Sequence, residues 1–318
     1  MNLFNIDCIL GSQKYIQSNS IDLIICDPPF GIGENSFEKH YKRKKEKVLN
    51  GYCEAPDDYL KFSYNWIHEC NRILKNNGSM YIFSGYTNLN NILDVVNKLN
   101  LYLINHIIWK YNFGVNTKNK YVSSHYHILY LKKDKNVKVT FNTNCRFGFD
   151  EKDEDGKSLL YKDLEDVWII NKEYQQGKEK NINKLPEELI KKIILYSSNE
   201  NDTICDFFLG NFTTAIVAKK LGRHCYGFEI NENIFNFSMN KLNKIEFRQD
   251  LANLRVILPS KYENRGKRIS EEELKNICEC YNSLNNMTEG EKIEILMSKF
   301  RRGKFSIINI LEKIKRNK

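Results

Sequence analysis

The feature that most restricts how this chain can fold is a short apolar run that stops abruptly. Ile21-Asp22-Leu23-Ile24-Ile25-Cys26 leads into Asp27-Pro28-Pro29-Phe30, and Pro28 and Pro29 are two of only five prolines in 318 residues. Proline has no N–H for a ladder and fixes φ, so a strand cannot continue through the pair. An apolar run bounded in this way reads as a buried strand. Its carboxyl end then carries an acid, two rigid residues and a phenyl ring.

Around this strand the N-terminal half alternates between two periodicities. Leu3–Cys8, Ser79–Phe83, Leu101–Trp109 and His125–Lys132 read as strands, and Tyr59–Leu74 and Asn88–Leu99 as helices with apolar residues at three- and four-residue spacing. The pattern lapses between Asp134 and Asn183, which is polar and glycine-punctuated, and then resumes. Pro186–Ser197 reads as a helix with proline in its first turn, and Thr203–Phe207 and His224–Glu229 as strands around a helix at Thr213–Leu221. Strand and helix in alternation predict an α/β fold with a doubly wound parallel sheet. The expected organisation is one half-domain over 1–133, a variable segment over 134–183, a second half-domain over 184–247, and a small helical module over 248–318. Within that module Ser270-x-x-Glu273 and Thr288-x-x-Glu291 are capping-box signals, and a third helix is expected after Gly303.

Composition narrows the function classes. No apolar run reaches 18 residues, so no membrane span is expected. The first residues lack the basic and apolar stretches of a signal peptide. Nine scattered cysteines without a CxxC pair read as reduced thiols of a cytoplasmic protein. The net charge of +9 is concentrated: residues 38–47 hold six Lys/Arg against two Glu, and residues 248–318 hold sixteen Lys/Arg against ten Asp/Glu. Clustered basic charge suits a polyanion, because each neutralised phosphate releases condensed counterions; a solvated lysine-rich face is the competing reading.

A second stretch, Asp202 to Asn233, reads as strand, turn, helix, strand, and then an acid, Glu229. A carboxylate in that place suits ribose hydroxyls of a nucleoside-containing cofactor, and the turn at Leu209–Thr214 brings backbone N–H groups towards the ligand. There is no GxGxxG, which argues against a dinucleotide. Gly31-Ile32-Gly33 lacks a third glycine and reads as a turn.

Asp-Pro-Pro-Phe after an apolar strand, with "FLGNFTTAIVAKKLGR…GFE" near the other end, resembles the amino-methylating DNA methyltransferases. The order, catalytic motif first and cofactor motif last, is similar to that of their permuted beta group. The resemblance covers about residues 1–133 and 184–247. It implies S-adenosylmethionine as cofactor, double-stranded DNA as substrate, and methylation of adenine N6, with a cognate restriction endonuclease as a partner. It also implies roles for single residues. Asp27 and the carbonyl of Pro28, held by the Pro28-Pro29 pair, would accept the two hydrogens of the target amine. Phe30 would stack on the extruded base. Asp7 matches an acid near the cofactor's adenine, Glu229 the ribose-binding acid, and Pro186 the helix over the methionine end. Asp206, Phe208, Gly210, Asn211, Phe212, Thr213 and Thr214 match the cofactor turn. The basic loop with Lys39, Lys42, Arg43, Lys44 and Lys45 is expected to meet phosphates. Arg301, Arg302 and Lys304, at a helix junction of the tail, are expected to do the same, with packing or dimerisation as the tail's alternative role.

Two departures from the family pattern stand out. Phe212 replaces its second glycine and is expected either to narrow the cofactor pocket or to pack in the core, and Leu185 precedes Pro186 where the family has lysine. The same-class rival is cytosine-N4 methylation, whose members more often carry serine in place of Asp27. A catalytically silent DNA-binding subunit is the rival from another class, and RNA or protein methylation fits the motif order less well. Residues 134–183, with nine Lys/Arg against eleven Asp/Glu, are expected to read bases while the basic segments hold phosphates. His125 and His127 share a strand face and read as ordinary strand histidines; no metal is expected. Both monomer and homodimer are compatible with the sequence.

Overall fold

The computed structural model describes residues 1–31, 55–112, 114, 118–143, 145–146, 163–173, 184–251, 264, 269–285 and 287–316. These form two compact units, Met1–Asn253 and Leu254–Lys318. The boundary falls six residues beyond the expected one after 247. The reason is local: Arg248 and Asp250 donate backbone N–H groups to Lys219 and Lys220, Arg248 pairs with Glu200 at 2.9 Å, and Leu251 is buried.

The first unit is built on one eight-stranded sheet of order β1-β8-β7-β2-β3-β5-β4-β6. Its strands are β1 (Asn2–Phe4), β2 (Ile21–Cys26), β3 (Leu74–Ser84), β4 (Tyr102–Lys110), β5 (His125–Lys132), β6 (Val167–Ile169), β7 (Thr203–Asp206) and β8 (His224–Phe228). The helices are α1 (Cys8–Tyr15), α2 (Tyr59–Ile73), α3 (Leu89–Lys98), α4 (Glu187–Ser197), α5 (Thr213–Lys220) and α6 (Glu232–Asn243). All pairings are parallel except those of β5, which runs against β3 and β4. The sheet is therefore mixed, because β4 and β5 are joined as an antiparallel pair instead of through a crossover helix.

β2 lies at the centre. Ile24 and Cys26 face a core shared with Trp66 and Ile67 of α2 and Ile92, Val95 and Val96 of α3. Leu23 and Ile25 point the other way by the two-residue period of a strand and are fully buried as well. Helices cover both faces: Tyr81 of β3, on the side opposite Met80 and Ile82, hydrogen-bonds Ser197 of α4 at 2.7 Å. From β7 the chain winds outward to β8, and from β2 it winds outward to β3. The order reverses between β7 and β2, where ligands of open α/β sheets bind.

Several elements depart from the sequence expectation: β3 begins at Leu74 instead of Ser79, α6 follows β8 where no helix is expected, and two more have an evident cause. Leu3–Cys8 is not one strand, because Asp7 accepts the N–H groups of Ile9 and Leu10 at 3.0 Å each and starts α1. β6 arises inside the variable segment by pairing with β4.

The second unit contains α7 (Glu271–Ser283), α8 (Glu289–Phe300) and α9 (Lys304–Arg316), packed around Ile277, Leu296, Ile307, Ile310 and Leu311. Ser270 caps α7 and Thr288 with Glu291 forms a complete capping box on α8.

Candidate active site

Asp27 and Asp206 are neighbours at the switch point: β2 and β7 pair in register with Ile25 opposite Asp206. The chain beyond Asp27 is held by side chains from two helix starts. Tyr59 donates its hydroxyl to the carbonyl of Pro29 at 3.1 Å. Asn88 donates to the carbonyls of Phe30 at 2.8 Å and Gly31 at 3.3 Å. Gly31 takes φ +65°, a conformation that costs glycine little. Among the described residues nothing donates to the carbonyl of Pro28 or to the carboxylate of Asp27. The Asp27 carboxylate and the carbonyl of the buried Pro28 are therefore left without a donor among the described residues, while the next carbonyls brace the chain.

The Asp27 carboxylate is half-buried. Burial, and then the charge of Asp206, push it up to about 7, against the pull of Lys172. Both causes act against the charged form, and a nearby cation acts for it. Phe30 lies beside Gly85, where a Cβ would come within 3.3 Å of its ring, and its centroid is 5.2 Å from Tyr126.

At the end of β7 the turn is tied to its own backbone. Asp206 accepts the N–H of Phe208 at 2.9 Å and bonds the side chain of Thr214, and burial pushes it up to about 6. Glu229, just past β8, bridges two loops: Gly210 N–H donates to one oxygen at 3.0 Å and Asn231 N–H to the other at 2.7 Å. It remains half-buried and is pushed upward by burial. Gly210, at φ +48°, has only Phe208 O within 4 Å of a notional Cβ, at 3.9 Å. The space beside Gly210 is therefore open. A carboxylate with lone pairs to spare beside an open glycine turn fits a ribose-bearing cofactor.

Phe212 does not crowd that opening. It is fully buried, its ring meets Phe235 edge-on at 5.4 Å, and its φ is +62°. The turn keeps the left-handed conformation that a glycine would adopt freely, and the side chain is used in the core. Asn211 is half-buried, while Thr213 and Thr214 are buried in the first turn of α5. Phe208 packs edge-on against Trp66 at 5.4 Å. Pro186 is the N-cap residue of α4 and is buried. Asp7 caps α1 and is exposed.

One expected nucleic-acid contact needs correction. Arg302 is 3% exposed and gives two bonds to Glu273, at 2.7 and 2.6 Å. Its charge is neutralised inside the second unit, so it cannot serve a phosphate. Arg301 and Lys304 are exposed. Lys39, Lys42, Arg43, Lys44 and Lys45 lie outside the described residues.

The structure adds residues that sequence reasoning missed. Tyr59 and Asn88 brace the motif; Tyr126 lies beside Phe30, and Trp109, Tyr111 and Lys172 cluster around Tyr126. No local pattern marks them, because β5 reaches the site by pairing with β3 and β4, and the stretch after β6 by pairing with β4. His106 also joins the expected histidine pair, with its Nε2 2.9 Å from Nδ1 of His127. Among the described residues no group of His, Cys, Asp and Glu is arranged to hold a metal, and no helix is long and apolar enough to cross a membrane.

Comparison with known proteins gives a consistent result. The DNA methylase family of the N6/N4 type matches residues 21–240. The type II methyltransferase M.HinfI of Haemophilus influenzae is 30% identical over 258 residues, covering 76% of this chain and 67% of its own. The DNA adenine methyltransferase YhdJ of Escherichia coli K12 is 32% identical over 256 residues, covering 74% and 80%. Among solved structures, the cytosine-N4-specific PvuII DNA methyltransferase superposes with a TM-score of 0.56 at 14% identity, covering 77% of this chain and 93% of its own. The M1.HpyAVI–SAM complex gives 0.50 at 22% identity, covering 76% and 98%. At these identities the structural likenesses speak to the fold.

Proposed function

The chain belongs to the amino-methylating DNA methyltransferases, and from that premise we propose that it methylates adenine N6 at a specific site in double-stranded DNA, as the modification partner of a restriction endonuclease. The observation that carries this reading is the pair of unengaged acceptors, the Asp27 carboxylate and the Pro28 carbonyl. An exocyclic amine is a poor nucleophile because its lone pair is delocalised into the ring. Two acceptors that take its two hydrogens draw the nitrogen towards tetrahedral geometry and free the lone pair. Proline fixes φ and leaves the carbonyl preset. Phe30 stacks on the extruded base, worth about 1–3 kcal/mol, against an extrusion cost of a few kcal/mol.

S-adenosylmethionine supplies the electrophilic methyl group when bound. Glu229 and the open turn at Gly210 hold its ribose side, with Asp206 keeping the turn in shape. The inward placement of Phe212 supports an active enzyme over a silent DNA-binding subunit. Residues 134–183 are proposed to read bases. Asn142 in this segment gives bonds to Leu195 O and Ser198 O at 3.1 and 3.0 Å, which moor it to α4. Asp27, and the adenine activity named for YhdJ, favour adenine over cytosine.

Single-molecule sequencing of DNA from a host expressing the protein, with nucleoside digestion of the product, tests the reading. N6-methyladenine at one recurring motif is expected. N4-methylcytosine, or unmodified DNA, overturns it.

A further inference from the structure

Two described stretches of the variable segment converge on one row of α4. Glu188, Lys192 and Tyr196 follow one another at four-residue spacing and lie one above the next on that helix. Asp163 meets two of them. Its Oδ2 accepts the Tyr196 hydroxyl at 2.6 Å, and its Oδ1 and backbone carbonyl accept Lys192 Nζ at 3.2 and 2.6 Å. Arg146, from the earlier stretch, has its Nε 3.1 Å from Asp163 Oδ2 and pairs with Glu188 at its other end. The ring of Trp168 lies 4.6 Å from Lys192 Nζ, where a cation is attracted by the ring face.

Asp163 is where the two stretches and the helix meet. Lys192 is 5% exposed, and the side chains of Asp163 and Arg146 are 11% and 17% exposed, so these charges are largely out of water. Desolvating charges costs much of what their attraction returns, and apolar packing stabilises as well or better. What the cluster adds is register, because directed partners accept one placement of the carboxylate where an apolar contact tolerates sliding. That placement is carried towards the catalytic motif. Asp166 O accepts Ile108 N–H at 2.8 Å, β6 pairs with β4, and Ile170 N–H donates to Lys110 O at 3.1 Å. Lys172 then lies 4.8 Å from the ring of Tyr126, the neighbour of Phe30.

We propose that Asp163 is a positioning residue for site recognition: it moors the variable segment to α4, and with that mooring sets how accurately the enzyme selects its DNA site. The proposal rests on the reading of residues 134–183 as the segment that reads bases. Base contacts discriminate only when the groups that make them are held in place relative to the phosphate contacts that set the register. Asp163 touches neither DNA nor cofactor in this account. It acts through Arg146, Lys192 and Tyr196, which fix the backbone on which such groups are carried.

Two readouts on the full chain test this. The first is the ratio of kcat/KM at the recognition motif to that at sites differing from it by one base pair. Asp163→Asn, which keeps the shape and removes the charge, should lower that ratio by about tenfold, since one mismatched pair is worth about 10- to 100-fold when its contacts are in place. Tyr196→Phe keeps the charges, removes one bond and should lower it by a smaller factor. Ile67→Ala, in the core on the other face of the sheet, lowers the melting temperature without touching the cluster and should leave the ratio unchanged. The second readout, hydrogen exchange, needs no DNA: the amides of β6 should exchange about tenfold faster in Asp163→Asn, while those of β3 keep the wild-type rate. Tyr196→Phe should move the same amides in the same direction. An unchanged ratio or unchanged β6 exchange in these variants, or an equal fall of the ratio in Ile67→Ala, overturns the proposal. A wild type that prefers no motif would overturn the base-reading premise, and the exchange result would still decide the mooring. Methylation of cytosine would count against the adenine reading alone.

Discussion

β2 and β7 lie side by side, and each brings a carboxylate to the same end of the sheet, Asp27 just after β2 and Asp206 as the last residue of β7. Both acids are pushed upward chiefly by burial. They differ in the residues next along the chain. Two residues after Asp206 comes Phe208, whose N–H turns back to the carboxylate at 2.9 Å. Two residues after Asp27 comes Pro29, which has no N–H to give. Asp206 therefore organises its own turn, whereas Asp27 is left available for a ligand. The two prolines do more than stop a strand; they prevent the local side-chain-to-backbone bond that aspartate readily forms.

The largest effect should come from removing the available acid. Asp27→Ala should lower methyl transfer by about 10³-fold, the scale of losing one preorganised polar partner, with cofactor binding by calorimetry nearly unchanged. Retention of a large fraction of turnover would dissolve the distinction between the two acids.

The next effect lies in the β7 turn, where the side chains face inward. Phe212→Ala should destabilise by about 3–5 kcal/mol, as truncation of a buried aromatic does. Phe212→Gly should cost about 1–2 kcal/mol less than Ala, because it relieves the left-handed backbone that any Cβ opposes. Denaturant melts with and without cofactor give both numbers. A glycine variant of undiminished stability that binds cofactor more tightly would show the ring acting on the pocket instead.

Pro29→Ala makes the β2 end more like the β7 end. The restored N–H can bond Asp27, which lowers its pKa and occupies one of its lone pairs. We expect kcat to fall by about tenfold, the scale of one modest hydrogen bond to a charged group, with the acid limb of the pH profile moving to lower pH. An unchanged profile would mean that the prolines matter only as strand stops.

Much of this arrangement was legible from local sequence. The apolar run into Asp27, the acid after β8 and the alternating periodicities all report on residues close together in the chain. The switch point came from motif order once the two strands were taken as neighbours. What escaped depends on pairing across distance. β6 is three residues long in a polar stretch, and only its ladder with β4 defines it. Lys172, Tyr111 and Tyr126 meet one another beside Phe30 through that same ladder and through β5. α1 was hidden because Leu3–Cys8 is apolar enough to pass for one strand, and the capping role of Asp7 shows only in its bonds. Arg302 was counted as free charge because a sequence shows the cation and not Glu273 opposite it.

Arg302 and its neighbours set buried charge against exposed charge in the second unit, where the smallest effect is expected. The slope of log affinity against log salt changes by about 0.9 per phosphate contact. If Arg301 and Lys304 meet DNA, replacing both with Ala should flatten the slope for the full chain by about one to two, and weaken specific and random DNA alike. Arg302→Ala should leave the slope unchanged. It should instead destabilise the unit by about 3 kcal/mol, because Glu273 loses a partner in a largely buried pair. A slope that flattens as much for Arg302→Ala as for the double variant would mean that the ion pair opens to bind DNA. An unchanged slope in the double variant, together with a shifted oligomeric mass, would assign the tail to assembly, leaving the phosphates to other basic residues.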